Sequence, residues 1–443
     1  MAVRQWLVVG VAVVVAGRGE AFMEWFWSTP DQDLCQGVCE CPQDLVMARQ
    51  RGIDCVQRNI TAIQDGLDIP KVFPSITFAR NHIKTLSPAT FASSSSLLTL
   101  DLSENDLESL PGGAFTPLMA LSTLNLRNNN ISALDPEAFV GLHNLTRLDL
   151  SYNGLTSLPE GVFGDLTSLQ ELYIGFNPLV NLNGSLLAHT PSLKTLDLSQ
   201  LGLQHIPPSL LMANLSQLQR VSLAYNELRV VPSRALRHLG ASLLHLDLSG
   251  NLFTSLDAYS FDGLENLRSL TLEQMFRLVT IDAYAFGDLT RLETLVLRYM
   301  PWMESIDSKA FHRIVEGKES SLRLADFTFS YSSLHTLPEH LLPWEHLRYI
   351  SLHLNHWRCD CHMRWVKNAT ELLRQTGKTM ITMFVFLVVV MTAGLSASLA
   401  TIALLVYWRR GWLCRRPKGA YSSVRRSGST ITITEEVDNT SEA

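Results

Sequence analysis

The residues of this chain whose types and spacing could do chemistry are concentrated near position 360. His353, His356, Cys359, Cys361 and His362 offer imidazole nitrogens and thiolates, which are the usual ligands of tetrahedral zinc. The competing interpretation is that the two cysteines form disulfides, as cysteines in secreted proteins usually do. We favour the disulfide interpretation and expect no metal site here.

The rest of the sequence predicts no catalytic chemistry. An enzyme needs a nucleophile beside a base, a pair of carboxylates in a cleft, or an open metal site. No spaced motif for any of these occurs in the sequence. The chain is therefore predicted to be non-enzymatic and to need no cofactor.

The elements that must position any site are set by a repeat. Between Phe73 and Trp357 the phrase L-x-x-L-x-L-x-x-N-x-L returns about every 24 residues, as in Leu97–Leu107 and Leu145–Leu155. Its L-x-L alternation has the period of two that is typical of a short strand with one buried face. No single phrase can bury its leucines alone, so neighbouring phrases are predicted to stack into a solenoid of about twelve coils.

Two columns of residues define each coil. The asparagine of the phrase, here called the column residue, is expected to satisfy backbone groups of its own coil and of a neighbour, because its amide both donates and accepts. The column residues are Asn81, Asn105, Asn129, Asn153, Asn177, Leu201, Asn226, Asn251, Met275, Met300, Ser332 and Asn355. An apolar column follows ten or eleven residues later, at Phe91, Phe115, Phe139, Phe163, Leu187, Leu211, Leu236, Phe261, Phe286 and Phe311.

From residue 35 to about residue 365 the chain resembles the animal extracellular leucine-rich repeat family, in its 24-residue subclass. The repeat carries this resemblance, together with the motif Cys35-x3-Cys39-x-Cys41-x13-Cys55 before it. The resemblance implies an α/β repeat solenoid, a leucine-rich repeat horseshoe with a parallel concave sheet and disulfide caps. It also implies the pairs Cys35–Cys41 and Cys39–Cys55, whereas spacing alone leaves three connectivities open.

The carboxy-terminal cap departs from the family pattern. Cys359 and Cys361 are similar to the first two cysteines of the family's cap, but the only later cysteine is Cys414, beyond the predicted membrane span. Cys359 and Cys361 are therefore left free, paired with each other, or joined to a second chain as a homodimer. We expect an abbreviated cap, residues 358–378, whose helix covers the last coil.

Two apolar runs predict the cellular location. Residues 1–21 have the plan of a secretory signal peptide, with cleavage after Gly17 or after Ala21. Residues 379–408 carry no charge and are long enough to cross a bilayer, while seven basic residues lie within 409–443. The chain is predicted to be a single-pass type I protein of the plasma membrane, with a cap at 22–72, repeats at 73–357, one transmembrane helix at 379–408 and a cytoplasmic tail at 409–443.

Six N-x-S/T sequences on the predicted extracellular side agree with this orientation. They begin at Asn59, Asn130, Asn144, Asn183, Asn214 and Asn368, and each is a predicted glycosylation site.

The outward positions of the strands are the expected partner-binding surface. Among them we favour Tyr173, Arg220, Arg298 and Tyr349, because tyrosine and arginine dominate the energetics of interfaces. The aspartates of the recurring L-D-L-S phrase are interpreted as the usual residue at that strand position rather than as partner-binding residues. The irregular coils from Met275 to Ser332 are interpreted as a packing variant, with a partner site or a bend in the solenoid as the alternative.

The charge of the chain bears on the class of partner. The tail from Arg409 holds seven basic and four acidic residues, so the remainder holds 36 − 7 = 29 basic and 42 − 4 = 38 acidic residues, a net charge of −9. Nucleic acid is disfavoured, because binding phosphate needs a concentrated basic surface. We predict a cell-surface recognition or adhesion protein that binds an extracellular or cell-surface protein. The alternative is a signalling receptor or co-receptor that acts through its short tail.

Overall fold

The computed structural model describes residues 35, 38–42, 45–179, 181–212, 215–352, 354–357, 365, 420–427 and 430–437. Several predicted features lie outside these residues, namely the signal peptide, the span at 379–408, Cys359, Cys361, Asn214, Asn368, His353 and His362.

Short parallel strands, one from each coil, form the main sheet. The strands of the main sheet are β1 Ile53–Asp54, β2 Ser75–Thr77, β3 Thr99–Asp101, β5 Thr123–Asn125, β7 Arg147–Asp149, β8 Glu171–Tyr173, β9 Thr195–Asp197, β10 Arg220–Ser222, β11 His245–Asp247, β13 Ser269–Glu273, β15 Thr294–Met300, β19 Asp326–Ser332, β20 Tyr349–Leu352, β21 Ala420–Ser427 and β22 Thr430–Val437. The strands of the smaller sheets are β4 Ser109–Leu110, β6 Ala133–Leu134, β12 Ser255–Leu256, β14 Thr280–Ile281, β16 Ser305–Ile306, β17 His312–Val315 and β18 Lys318–Ser321. The main sheet runs β1-β2-β3-β5-β7-β8-β9-β10-β11-β13-β15-β19-β20-β21-β22. The predicted solenoid with a parallel sheet is confirmed.

A left-handed residue ends each strand phrase and turns the chain out of the sheet. In all twelve coils the residue just before the column residue has φ between 50° and 67°. Eleven of the twelve are not glycine, so the surrounding hydrogen bonds must hold a backbone conformation that such residues rarely adopt. Several residue types occupy this turn position, so the sequence pattern did not reveal its left-handed conformation.

The column asparagines join neighbouring coils as expected. Asn105 Nδ2 donates to the carbonyl oxygens of Phe78 at 2.9 Å and Leu102 at 3.1 Å, and its Oδ1 accepts from Ile83 N–H at 3.1 Å. Where the column residue is Leu201, the amide of Leu179 instead donates to the Asn177 carbonyl at 2.9 Å. Met275 and Met300 are buried and fill apolar space, while their strands, β13 and β15, lengthen to five and seven residues.

The phenylalanine column forms a continuous stack behind the sheet. Phe91, Phe115, Phe139 and Phe163 follow one another with ring centroids 6.1 to 6.5 Å apart, and all four rings are buried. Because the rings are in contact from coil to coil, the core is one cluster that runs along the array.

The return segments are less helical than the expected α/β solenoid. Described α-helices are confined to α1 Leu45–Arg51, α2 Pro208–Met212 and α3 Ser233–Leu236, with 3-10 turns at Arg237–Leu239 and Trp344–His346. Most other coils return through turns and through the two small parallel sheets β4-β6 and β12-β14-β16. A coil of about 24 residues leaves too few residues behind the strand for a helix of ordinary length.

The two ends are closed by different chemistry. At the amino terminus the disulfides are Cys35–Cys41 and Cys39–Cys55, the pairs that the family resemblance implies. At the other end Trp365 stacks on Trp344 with ring centroids 4.6 Å apart, and its Nε1 donates to the Leu337 carbonyl at 3.0 Å. A buried aromatic residue of the abbreviated cap therefore covers the last coils.

The strand β20 has a second neighbour besides β19. It pairs antiparallel with β21, which pairs antiparallel with β22. A chain that crosses a bilayer at 379–408 cannot make this pairing, because β20 and β21 would lie on opposite sides of the membrane. Among the described residues no helix is long and apolar enough to span a bilayer.

Candidate partner-binding surface

A shallow depression lies on the concave face over β8 to β13. It measures about 260 Å³ and is lined by Tyr173, Asp197, Arg220, His245, Asp247 and Thr271, together with their strand neighbours. Two of the four predicted partner-binding residues, Tyr173 and Arg220, are therefore brought together here. Their strands, β8 and β10, lie on either side of β9, and each pairs with it in parallel register.

Tyr173 is held in place by a charged pair from its own and the preceding coil. Its hydroxyl donates to Glu171 Oε2 at 3.0 Å and accepts from Arg147 Nη1 at 3.3 Å, while Arg147 also pairs with Glu171. The Arg147 guanidinium lies 4.5 Å from the centroid of the Tyr173 ring. Burial, followed by the hydrogen bond to Glu171, raises the pKa of the Tyr173 hydroxyl, so this side chain remains a neutral donor at physiological pH.

Basic groups lie where the strands of this region begin. Arg220 and His245 are register partners on β10 and β11. Burial, followed by the positive charges of Arg220 and Arg268, lowers the pKa of His245. His245 is therefore neutral at pH 7, and Arg220 supplies the positive charge at this side of the depression.

The aspartates of the L-D-L-S phrase accept hydrogen bonds from the serine two residues on. Oδ1 of Asp197 accepts from the amide of Ser199 at 2.9 Å, and Oδ1 of Asp247 accepts from the amide and the hydroxyl of Ser249 at 2.9 and 2.6 Å. Asp149 repeats the arrangement with Ser151. One carboxylate oxygen of each residue thus stabilises the turn that ends the strand.

The other two predicted partner-binding residues lie on the same face but outside the depression. Arg298 approaches Glu273 with Nη1 to Oε1 at 3.4 Å, and its guanidinium lies 5.5 Å from the ring centroid of Tyr299. Tyr349 lies on β20, where its register partners are Asp326 and Arg425. These two residues do not share a site with Tyr173 and Arg220.

A row of aromatic side chains was missed from the sequence. Its members all stand one residue before a column residue, at the left-handed turn: Tyr152, Phe176, Tyr225, Tyr299 and Tyr331. Tyr152 stacks on Phe176 with centroids 4.1 Å apart, and Tyr299 stacks on Tyr331 at 4.3 Å. Their shared position, one residue before the column residue, is the sequence signal that could have identified this row.

The described glycosylation sequences lie away from the strands of the concave sheet. Asn59, Asn130, Asn144 and Asn183 are exposed, and each falls outside the bounds of the strands. Glycans at these asparagines would project from the turns and return segments rather than from the sheet.

Of the five residues considered as zinc ligands, only His356 lies within the described residues. His335 Nδ1 donates to the His356 carbonyl at 2.9 Å. No cluster of three histidine, cysteine or acidic residues suited to a metal occurs in the described parts of the chain.

Comparison with known proteins identifies the repeats. A profile of the "Leucine rich repeat" family matches residues 75–131, 119–179, 216–275 and 241–301. No curated protein sequence matches the chain.

Solved structures share the fold. A leucine-rich repeat protein of Leptospira interrogans is 23% identical, with a TM-score of 0.56 over 70% of this chain and 81% of that one. A chain from the octameric complex of Latrophilin 3, Unc5D and FLRT2, in which FLRT2 contributes the leucine-rich repeats, is 22% identical with a TM-score of 0.51 over 77% and 89% of the two chains. The TLR13–ssRNA13 complex gives 25% identity and a TM-score of 0.51 over 67% of this chain, but over only 39% of that one.

Proposed function

We propose that this leucine-rich repeat chain is a non-enzymatic cell-surface recognition or adhesion protein that binds another protein through its concave face. It would be a single-pass type I protein of the plasma membrane, with its amino terminus outside the cell. The partner would be an extracellular protein or the exposed part of another surface protein.

The observation that carries this proposal is the depression over β8 to β13. Its tyrosine and arginine side chains are types that dominate binding energy at interfaces. Tyr173 is already fixed by Arg147 and Glu171, so binding loses less side-chain entropy than at a flexible surface. A preorganised, mixed polar and aromatic hollow suits protein recognition.

The placement of the glycosylation sequences supports use of the same face. The four exposed asparagines lie outside the concave strands, so glycans attached to them would leave the sheet accessible to a partner.

A protein partner is favoured over nucleic acid by charge. The TLR13 relative was solved with single-stranded RNA, but this chain carries a net charge of −9 outside its tail. Asp149, Asp197 and Asp247 are the last residues of β7, β9 and β11 in the concave sheet. Such a surface repels phosphates.

A glycan placed in the depression tests the proposal. Arg220→Asn creates an N-x-S sequence with Val221 and Ser222, whereas Ser93→Asn creates one with Ser94 and Ser95 on a return segment. Cells displaying the full-length chain are screened against tagged ectodomains of surface proteins. We expect Arg220→Asn to abolish capture of the identified partner and Ser93→Asn to preserve it.

Arg220→Gln, which adds no glycan, separates the loss of the arginine from the bulk of the sugar. Capture that is unchanged by a glycan confirmed at position 220 would overturn the assignment of the concave face.

The signalling alternative is tested by the tail. Deletion of residues 417–443 removes β21 and β22 but keeps the repeats at 73–357 and the predicted span. Under our proposal, capture of the partner and cell clustering survive this deletion without loss of a downstream response. A lost response with capture retained would favour the receptor or co-receptor function.

A homodimer through Cys359 or Cys361 remains part of the proposal as an optional assembly. Non-reducing and reducing gels of the full-length chain, compared with a variant in which both cysteines are replaced by serine, decide it. A monomer in both gels rejects the covalent dimer.

A further inference from the structure

Arginine side chains beside the parallel strands usually pair with a carboxylate of a neighbouring coil. The ion pairs of this kind are Arg147–Glu171, Arg268–Glu293, Arg298–Glu273 and Arg348–Asp326. In each of them the positive charge already has a negative neighbour within the solenoid. These four arginines therefore offer little uncompensated charge to a partner.

Arg220 differs from these four. It is the first residue of β10 and is exposed. Among the residues that the structure describes, no carboxylate forms an ion pair with its guanidinium. Its register partners on the two adjacent strands are Thr195 and His245, and neither side chain is negatively charged. Because a guanidinium stays protonated at physiological pH, β10 begins with a positive charge that the adjacent strands do not compensate.

Lys194 adds a second positive charge from the preceding coil. The amides of Gln219 and Arg220 both donate to the Lys194 carbonyl oxygen at 2.9 Å, so Arg220 and Lys194 are backbone neighbours. Lys194 Nζ donates to Gln170 Oε1 at 3.0 Å, which is a neutral acceptor. Within the described parts of the chain, Lys194 forms no ion pair either. We call Arg220 and Lys194 the basic pair.

The negative charges of the depression lie at the other end of the strands. Asp197 and Asp247 are the register partners of Ser222, which stands two residues beyond Arg220 on β10. At about 3.3 Å per residue, this step along the strand is about 7 Å. The depression is therefore positive where β10 begins and negative where its strands end.

We propose that Arg220 and Lys194 bind the carboxylate of an aspartate or glutamate side chain of the protein partner, an inference that rests on the proposed use of the concave face. A guanidinium holds a carboxylate through two parallel N–H bonds, and an ammonium adds a compact positive charge. The partner is thus a protein that presents an exposed acidic residue.

The polarity of the depression also fixes the orientation of that partner. Its acidic residue lies over the start of β10. Asp197 and Asp247 repel a second acidic group at the strand ends, since like charges in a contact are unfavourable. The part of the partner that covers the strand ends is therefore neutral or basic.

A protein carboxylate is favoured over a sulfated polysaccharide by the extent of the positive surface. A polyanion is bound by a concentrated series of cations. The basic pair supplies two cations, and Asp197 and Asp247 lie in the same depression. This arrangement suits one carboxylate rather than a row of anionic groups.

A pair of peptides of similar shape tests the basic pair. The probes are a glycine-serine peptide with three glutamates and the same peptide with three glutamines, each captured on a biosensor surface. Binding of the purified full-length chain in detergent is measured by interferometry. We expect the glutamate peptide to bind about tenfold more tightly than the glutamine peptide. Because the chain outside its tail carries a net charge of −9, non-specific electrostatics act against this preference.

Variants locate the binding. Arg220→Gln should reduce the preference to less than about twofold, and Lys194→Gln should reduce it to about threefold. Arg220 is exposed and forms no ion pair with the described residues, so its substitution should leave the protein folded. The matched control is Arg80→Gln, which removes the same charge from a distant coil, where Arg80 already pairs with Glu104 at 3.1 Å. This control should keep the tenfold preference.

Equal binding of the two peptides by the unmodified chain would overturn the basic pair as a carboxylate site. A preference that persists in folded Arg220→Gln would do the same. Heparin is tested in parallel, and binding of heparin that depends on Arg220, without a preference for glutamate, would replace the protein carboxylate by a sulfated polysaccharide.

Failure of the basic pair and failure of the proposed function give different results. If partner capture survives Arg220→Gln but is blocked by a glycan at position 220, the concave face is the binding surface and the carboxylate site is rejected. If capture is unchanged by that glycan, the proposed function itself fails, whatever the peptides show.

Discussion

Residues of one type have different roles in this solenoid according to their position in the coil. Asparagine at the column bonds two coils together, whereas Asn130, one residue later, is exposed. Aspartate within a strand first bonds the serine two residues on. Tyrosine at the left-handed turn packs against the next coil, as Tyr152 does on Phe176 and Tyr225 on Gly250. The function proposed for the concave surface therefore uses the atoms that the turns leave free.

Gly250 offers a test at this scale, because its lack of a side chain gives the Tyr225 ring its place. Gly250→Ala puts a Cβ 2.4 Å from the ring, whereas Gly161→Ala has a similar positive φ and no atom within 4 Å. We expect Gly161→Ala to lower the free energy of unfolding by about 1 kcal/mol and Gly250→Ala by about 1–3 kcal/mol more. Urea unfolding of the full-length chain measures both, and equal losses would contradict the packing of Tyr225 on Gly250.

Among the elements, the irregular coils show how an insertion is accommodated. The extra residues after Phe311 form the antiparallel hairpin of β17 and β18. The turn at Glu316 and Gly317 has positive φ at both residues, as a tight hairpin requires. Lys309 and Tyr284 contact Glu319 of β18, so the insertion is anchored to neighbouring residues while the main sheet continues through β19.

The abbreviated cap is the second such element, and it depends on tryptophan. Trp365 is 6% exposed and packed on Trp344, whereas Trp302 is 67% exposed. Trp365→Ala should lower the free energy of unfolding by about 3–5 kcal/mol, while Trp302→Ala should change it by less than about 0.5 kcal/mol. Thermal and urea unfolding of the full-length variants provide the comparison. A small effect of Trp365→Ala would mean that the last coils are closed by other residues.

At the scale of the whole molecule, the membrane span and the pairing of β20 with β21 exclude each other. The uncharged run at 379–408 and the basic residues that follow it favour insertion. An inserted chain would leave the outer edge of β20 without β21, and a free strand edge invites pairing with another chain.

Topology can be measured directly with an epitope tag placed after Ala443. We expect antibody to reach this tag only after the cells are permeabilised, while a second tag inserted after residue 34 is reached on intact cells. A carboxy-terminal tag that is accessible on intact cells would reject the span and favour the hairpin on β20. The amino-terminal tag is the matched control for surface delivery.

The sequence by itself determined the coils, their buried faces and the strand positions that face outward. Leucine at period two and asparagine every 24 residues act within one coil or between neighbours in fixed register, so periodicity is enough to predict them. Tyr173 and Arg220 were also predicted as surface residues from their type and position.

Only the tertiary structure decided which of those outward residues share a site. It separated Arg298 and Tyr349 from the depression that holds Tyr173 and Arg220, and it assigned one carboxylate oxygen of each strand aspartate to the serine two residues on. The depression joins side chains from different coils, and its geometry depends on rotamers and on the left-handed turns. A linear pattern contains the spacing of such residues, but not the direction in which each side chain leaves its turn.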